Sequence, residues 1–192
     1  MRSSFPIARA AAIVLVAALG SVAAQAQQKL VPAQSEIAFT TKQMGVPVEG
    51  HFKKFDAQIA FDPAKPEAGK IGFTVDIASA TLGAPEADAE LPKATWFNTA
   101  KFPQATFQSS AIKGLGGGKF EITGKMAIKG SSHDVVVPVT LSQSGTTTMA
   151  NGVLTIKRLS YKIGEGEWAD TSMVADDVQV KFKLALTGVG KF

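Results

Sequence analysis

The chain has 192 residues, with 20 lysines and arginines against 16 aspartates and glutamates, a formal charge of +4 and no cysteine. Without cysteine there is no disulfide-stapled scaffold, and no lipoprotein anchored through a cysteine thiol. Arg2 and Arg9 lie in the first ten residues, and subtracting them from +4 leaves only +2 for the rest of the chain. So weak a positive charge argues against a nucleic-acid partner.

In chain order, Met1 to Ala26 comes first: a basic start, an apolar run from Ala10 to Leu19, and small residues at Ala24 and Ala26. This is the pattern of a cleavable secretory signal peptide, with cleavage expected after Ala26. The apolar run is shorter than the roughly 20 residues of a bilayer span. The expected mature protein is therefore periplasmic, and its domain is read as 27–192, with 166 residues remaining. That length suits one domain with a sizeable core.

From Ser35 onward, apolar residues alternate with polar ones, the signature of strands with one buried face. Weak strands are expected around Ile37 and Phe39, and around Ile59 and Phe61. The run Ile71 to Ile77 is apolar at every odd position. The segment Pro85 to Asn98 reads as one or two short helices. Strands resume at Ala105 and Phe107, then at Phe120 to Lys129, where the large apolar residues take the even positions. Val135, Val137, Val139 and Leu141 mark another strand. Leu154 to Ile163 and Val178 to Leu184 follow. Turns are expected at Asp62-Pro63, Gly114 to Gly118, Gly130-Ser131-Ser132 and Asn151-Gly152. The fold class is all-β: an antiparallel barrel of about eight strands with a short helical insertion. Closure is favoured over a sandwich by the supply of inward aromatics and the lack of long crossovers between strands, and it also removes exposed edges.

Several segments carry the letters of chemistry without its spacing. Ser131-Ser132-His133-Asp134 holds the residue types of a hydrolase triad, but adjacent residues diverge and the stretch reads as a polar hairpin turn. Gly114 to Lys119 resembles a phosphate loop, yet Phe120 stands where a metal-binding hydroxyl belongs and a strand follows. No metal-ligand spacing surrounds His51 or His133. Glu165, Glu167 and Asp170 beside Trp168 could serve a hydrolase, or rim a ligand mouth. Arg158 is the only arginine beyond the leader, among seventeen lysines. That residue choice suits an ion pair with a carboxylate or a bidentate contact to a ligand head group. The many strand phenylalanines together make an apolar lumen, and an apolar cavity takes an apolar guest.

A set of motifs runs through the chain in order: Ser35-x-Ile37-x-Phe39, Val48-x-Gly50-x-Phe52-x-x-Phe55, Ile59-x-Phe61-Asp62, Trp96-Phe97-Asn98, Lys101-Phe102-Pro103, Gly124-x-Met126-x-Ile128-x-Gly130, Arg158-x-x-Tyr161-x-Ile163-Gly164 and Val178-x-Val180. By these the chain resembles the YceI-like, or polyisoprenoid-binding, family. The resemblance implies a lipocalin-like barrel around an apolar channel that holds a polyprenyl chain, exported, non-enzymatic and often dimeric. Many relatives have histidine in an Asp-x-His-Leu pattern where this chain reads Asp88-Ala89-Glu90-Leu91. The acidic replacement disfavours an anionic head and points to a neutral one such as a quinone.

The expected function is sequestration of a long isoprenoid lipid or quinone, with no catalytic residues and no cofactor beyond that guest. Channel-lining candidates are Phe39, Phe73, Phe107, Phe120, Met126 and Phe182; mouth candidates are Trp96, Arg158 and Trp168. Expected partners are an apolar lipid, a transient membrane surface and a second copy in a homodimer. The competing readings are a fully packed accessory module for a membrane redox protein, and a hydrolase acting through Glu165 and Glu167.

Overall fold

The computed structural model describes residues 28–192. The leader at 1–26 and its cleavage point lie outside the described residues. The strands are β1 (Lys29–Leu30), β2 (Glu36–Gln43), β3 (Val46–Phe52), β4 (Phe55–Ala60), β5 (Lys70–Asp76), β6 (Ala80–Thr81), β7 (Gln104–Gly116), β8 (Lys119–Ile128), β9 (Ser131–Ser144), β10 (Thr147–Lys157) and β11 (Asp177–Thr187); the helix α1 is Pro85–Asp88. All ladders are antiparallel and form one sheet in the order β4-β5-β7-β8-β9-β10-β11-β2-β3-β6, with β1 beside β11.

Traced as ladders this path is open, but its two ends are neighbours. Strand β4 continues β3 after a two-residue kink, and β6 continues β5 after a 3₁₀ turn at Ile77–Ser79. The paired runs are β3 with β6 and β4 with β5. Across the kink, Asp76 N–H donates to Lys54 O at 3.0 Å and Lys53 N–H to Ser79 O at 3.2 Å. Strands β1 and β2 likewise flank β11 on one edge, end to end. Counting each kinked pair as one run gives eight strands around a curled barrel, the expected number. The kinks bend the strands that complete the ring.

The inner face carries the core: Ile37, Phe39, Phe120, Ile122, Val137, Val139, Leu141, Leu154 and Ile156 are all buried. Each such side chain is worth about 1.5–3 kcal/mol when withdrawn from water. Three interior glycines make a second pattern. Gly50 faces Phe39 directly across the β2–β3 ladder, and Gly152 faces Phe182 across β10–β11. Gly124 lies under the Phe107 ring. A Cβ at any of the three would overlap the ring. The rings thus lie over bare backbone along the wall instead of crossing the lumen.

Two expectations are corrected, and the short helical insertion is narrower than its segment. Asn151-Gly152 is the middle of β10, and its glycine signals a ring above it; the hairpin turn is Gly145-Thr146, with Gly145 at φ +59°. Ser131 to Asp134 opens β9 instead of forming a turn. The turn is Lys129-Gly130, with φ of +47° and +75°, and Asp134 pairs with Lys125 across the ladder at 2.8 Å. Only Pro85–Asp88 of the segment to Asn98 is helical; turns follow, tied by Trp96 N–H to Lys93 O and Phe102 N–H to Asn98 O.

Substituting Gly152 by alanine is expected to cost about 1–3 kcal/mol, because the Phe182 ring must leave its seat. A urea titration would show a lower midpoint at unchanged slope. Asn151→Ala, on the outer face, should stay within about 0.5 kcal/mol.

Candidate functional site: a lipocalin-like cavity and its mouth

Chain direction sorts the connections between strands into two ends. At one end lie the Met44-Gly45 hairpin, segment 82–103, the Lys129-Gly130 turn and segment 158–176. At the other lie segment 61–69 and the short turns at Gly117-Gly118 and Gly145-Thr146. Between them is a cavity of about 450 Å³, whose lining is apolar almost throughout. All nine residues singled out above border it: Phe39, Phe73, Phe107, Phe120, Met126 and Phe182 along the wall and floor, Trp96, Arg158 and Trp168 at the end bearing the long segments. Also lining it are Phe52 and Phe97, which link to Phe39 in a string of rings with centroids 5.1 and 6.5 Å apart. Ile37, Ile71, Ile122 and Leu154 line it too. Their signal was the same alternation, passed over in favour of phenylalanine.

Arg158 is 1% exposed and organises the mouth. Its Nε donates to Ala175 O at 3.0 Å, Nη1 to Ile163 O and Gly164 O at 2.9 Å each, and Nη2 to Trp168 O and Val174 O at 2.6 Å each. The five donors of one guanidinium therefore meet five backbone carbonyls of segment 163–175. The expected carboxylate ion pair is not formed, and no N–H remains to meet a head group. Burial pushes the guanidinium below its ordinary value, against the opposing charge of Asp176. The Asp176 carboxylate accepts from Leu159 N–H at 3.0 Å. Gly164, at φ +73°, lies so close to Arg158 and Trp96 that no side chain fits there.

A second buried cation ties the same segment. Lys129, 7% exposed at the head of its turn, donates to Lys162 O at 2.5 Å and pairs with Glu165 at 3.0 Å. The N–H groups of Gly164 and Glu165 both donate to Thr95 O, and Trp168 packs on Trp96 with centroids 5.5 Å apart. Segment 163–175 is thus strapped to segment 82–103. Glu90, the other charged residue of the lining, pairs with Lys93 at 2.5 Å. Trp96 Nε1 and Tyr161 Oη are buried without a hydrogen-bond partner, and burial pushes the Tyr161 hydroxyl up. The two histidines stand apart: His51 meets Glu36 at 3.2 Å, and His133 packs edge-on to Tyr161 with its Nε2 2.9 Å from Ser160 O.

A curled antiparallel barrel around an apolar cavity, with strapped segments at one end, defines a lipocalin-like binding fold. A YceI-like domain matches residues 28–186, and the chain belongs to that family. Among solved structures it is similar to Burkholderia cenocepacia BcnA, at 49% identity and a TM-score of 0.79 over 81% of this chain and 98% of that one. It is also similar to the Campylobacter jejuni YceI protein, at 26% identity and a TM-score of 0.66 over 72% and 83% of the two chains. The fold is shared with a polyisoprenoid binding domain from Saccharophagus degradans, at 18% identity and a TM-score of 0.69 over 84% and 98%. Among curated relatives, a UPF0312 protein of Azotobacter vinelandii is 39% identical over 46% of each chain. Protein YceI of Escherichia coli is 40% identical over 48% of this chain and 46% of that one. These matches span about half the length of those two relatives.

Arg158→Lys keeps the charge but cannot reach five carbonyls. It is expected to cost about 3 kcal/mol or more by urea titration, and to speed hydrogen exchange of the Gly164 and Glu165 amides. Asp88 supplies a pH test. Its carboxylate is held below its ordinary value first by the Thr81 hydroxyl and then by Leu82 N–H. The stabilising contribution of a lowered carboxylate is complete above the ordinary value of 3.8 and is lost as pH falls through the lowered one. The Leu82 amide resonance should therefore hold steady above that value and shift only at lower pH, and Asp88→Asn should abolish the shift.

Proposed function

We propose that this protein is an exported, periplasmic carrier that sequesters a long apolar isoprenoid lipid or quinone in its barrel and performs no chemistry on it. The observation that carries this reading is the apolar cavity of about 450 Å³, a size typical of small-molecule sites. Burying apolar surface at roughly 25 cal/mol per Å² holds such a guest without specific hydrogen bonds. The two charged lining residues are engaged elsewhere, Arg158 with carbonyls and Glu90 with Lys93. A neutral head group such as a quinone fits that better than a pyrophosphate.

Export rests on the leader pattern of Met1 to Ala26. Loading would involve transient contact with a membrane, for which the exposed Met44, Val46 and Met173 at the mouth end are the natural surface. The accessory-module alternative requires a filled barrel and is disfavoured by the cavity. A hydrolase is disfavoured because Lys129 already holds Glu165.

Native mass spectrometry of protein extracted mildly from its own periplasm tests the carrier. The expected spectrum shows an added neutral lipid, and also reads whether the chain is the expected homodimer. Spectra without lipid under every growth condition would sink the reading.

A further inference from the structure

Resting on the carrier reading, we infer that the Phe61–Phe120 pair is a floor that measures the apolar chain, admitting about four isoprene units in extended form. Backbone ladders join neighbouring strands around most of the wall, and at the floor half β9 and β10 pair from Val139 to Ser144 with Thr147 to Gly152. The two ends are different, because side chains close them. At the floor end Phe61 meets Phe120 edge-on, with centroids 5.2 Å apart and an interplanar angle of 85°. Phe120, Leu141 and Val189 are buried and line the cavity at this end with Phe61.

Phe61 is held unusually firmly for a residue outside a strand. The Gln28 carboxamide grips its backbone from both sides, accepting from Phe61 N–H at 2.8 Å and donating to Phe61 O. This side chain supplies the ladder contact that β1 is too short to make with the end of β4. Beneath the floor, the turn at Pro66–Ala68 packs on β7. Gly69 and Gly114 are the close approaches there, Gly69 against Ile112 and Phe61, Gly114 against Pro66. A segment fastened at such points gives a fixed stop, whereas the mouth end is built of longer segments.

The length follows from strand geometry. The lining of β8 extends from Phe120 at the floor to Ile128 next to the mouth. Eight steps of about 3.3 Å at a tilt of about 40° separate these two by about 20 Å along the axis. An extended chain of C–C bonds near 1.5 Å advances about 1.25 Å per bond, and each isoprene unit contributes four such bonds. About four units therefore span mouth to floor. Longer chains must double back or leave their surplus at the mouth.

The test uses prenyl alcohols of two to six isoprene units, titrated against the fluorescence of Trp96 and Trp168, the protein's two tryptophans, both at the mouth. For the wild type, affinity should rise at least tenfold per unit up to about four units, then change less than threefold per further unit. Phe61→Ala and Phe120→Ala should each move the break outward by about one unit. Ala150→Leu, which thickens the lining near the floor, should move it inward, and it serves if the cavity-forming variants fail to fold. Phe73→Ala enlarges the mid-wall and should leave the break in place. A break that stays put in the folded floor variants, or one that moves equally in Phe73→Ala, overturns the ruler. No binding by the wild type at any length overturns the carrier reading itself.

Discussion

The barrel has to enclose an apolar cavity that its own side chains do not fill, and much of the structure answers to that constraint. A cavity of about 450 Å³ is space that a packed core would fill with its own side chains. A sandwich of two sheets would collapse to close such a gap, since its layers can approach. A ring of backbone ladders resists, because narrowing it means breaking hydrogen bonds rather than sliding side chains. The glycines at 50, 124 and 152 serve the same end by seating Phe39, Phe107 and Phe182 against the wall, giving aromatic cover where bare backbone would weaken the sheet.

The mouth needs another solution, because polar backbone in segment 163–175 comes close to apolar surface with no strand to pair it. Unpaired carbonyls there would each cost about 1–3 kcal/mol. Arg158 satisfies five of them with one planar group. Lysine has three donors on a flexible stem and could not fan them out in a plane. Lys129 has a smaller task, one carbonyl and one carboxylate, which an ammonium can perform. The choice of arginine at a single place in an otherwise lysine-based chain thus has a geometric cause.

That cause was only half legible beforehand. The isolated Arg158 stood out, but its partners are main-chain oxygens, which leave no mark on a sequence, so an ion pair or a head group seemed the better use. The strands β5, β8 and β11 are readable because large apolar residues recur at every second position along most of each. Asn151-Gly152 misled because the same dipeptide signals a tight turn or a bare patch of strand, and only the ring of Phe182 some thirty residues later decides between them. The segment from Pro85 has acidic residues where a helix begins, but its later turns are shaped by contacts with Gly164, Glu165 and Trp168 across the mouth. The lining candidates were reachable from inward phase alone. Their common cavity was not, because emptiness depends on how rings lie and not on which residues are present.

The two ends of the barrel differ in chemistry as well as in length. The floor is closed by aromatic and aliphatic groups that offer a guest nothing but surface. At the mouth, the strongest donors are already committed to the protein itself, so the polar contacts there shape the opening without advertising for a charged ligand. Affinity in such a site must come from buried apolar area. A guest in the lumen would add contacts with the apolar lining. Binding and folding are then linked, and an occupied barrel should be the more stable state by mass action. The apolar lining that shapes the lumen is thus also the surface on which an apolar guest would gain its affinity.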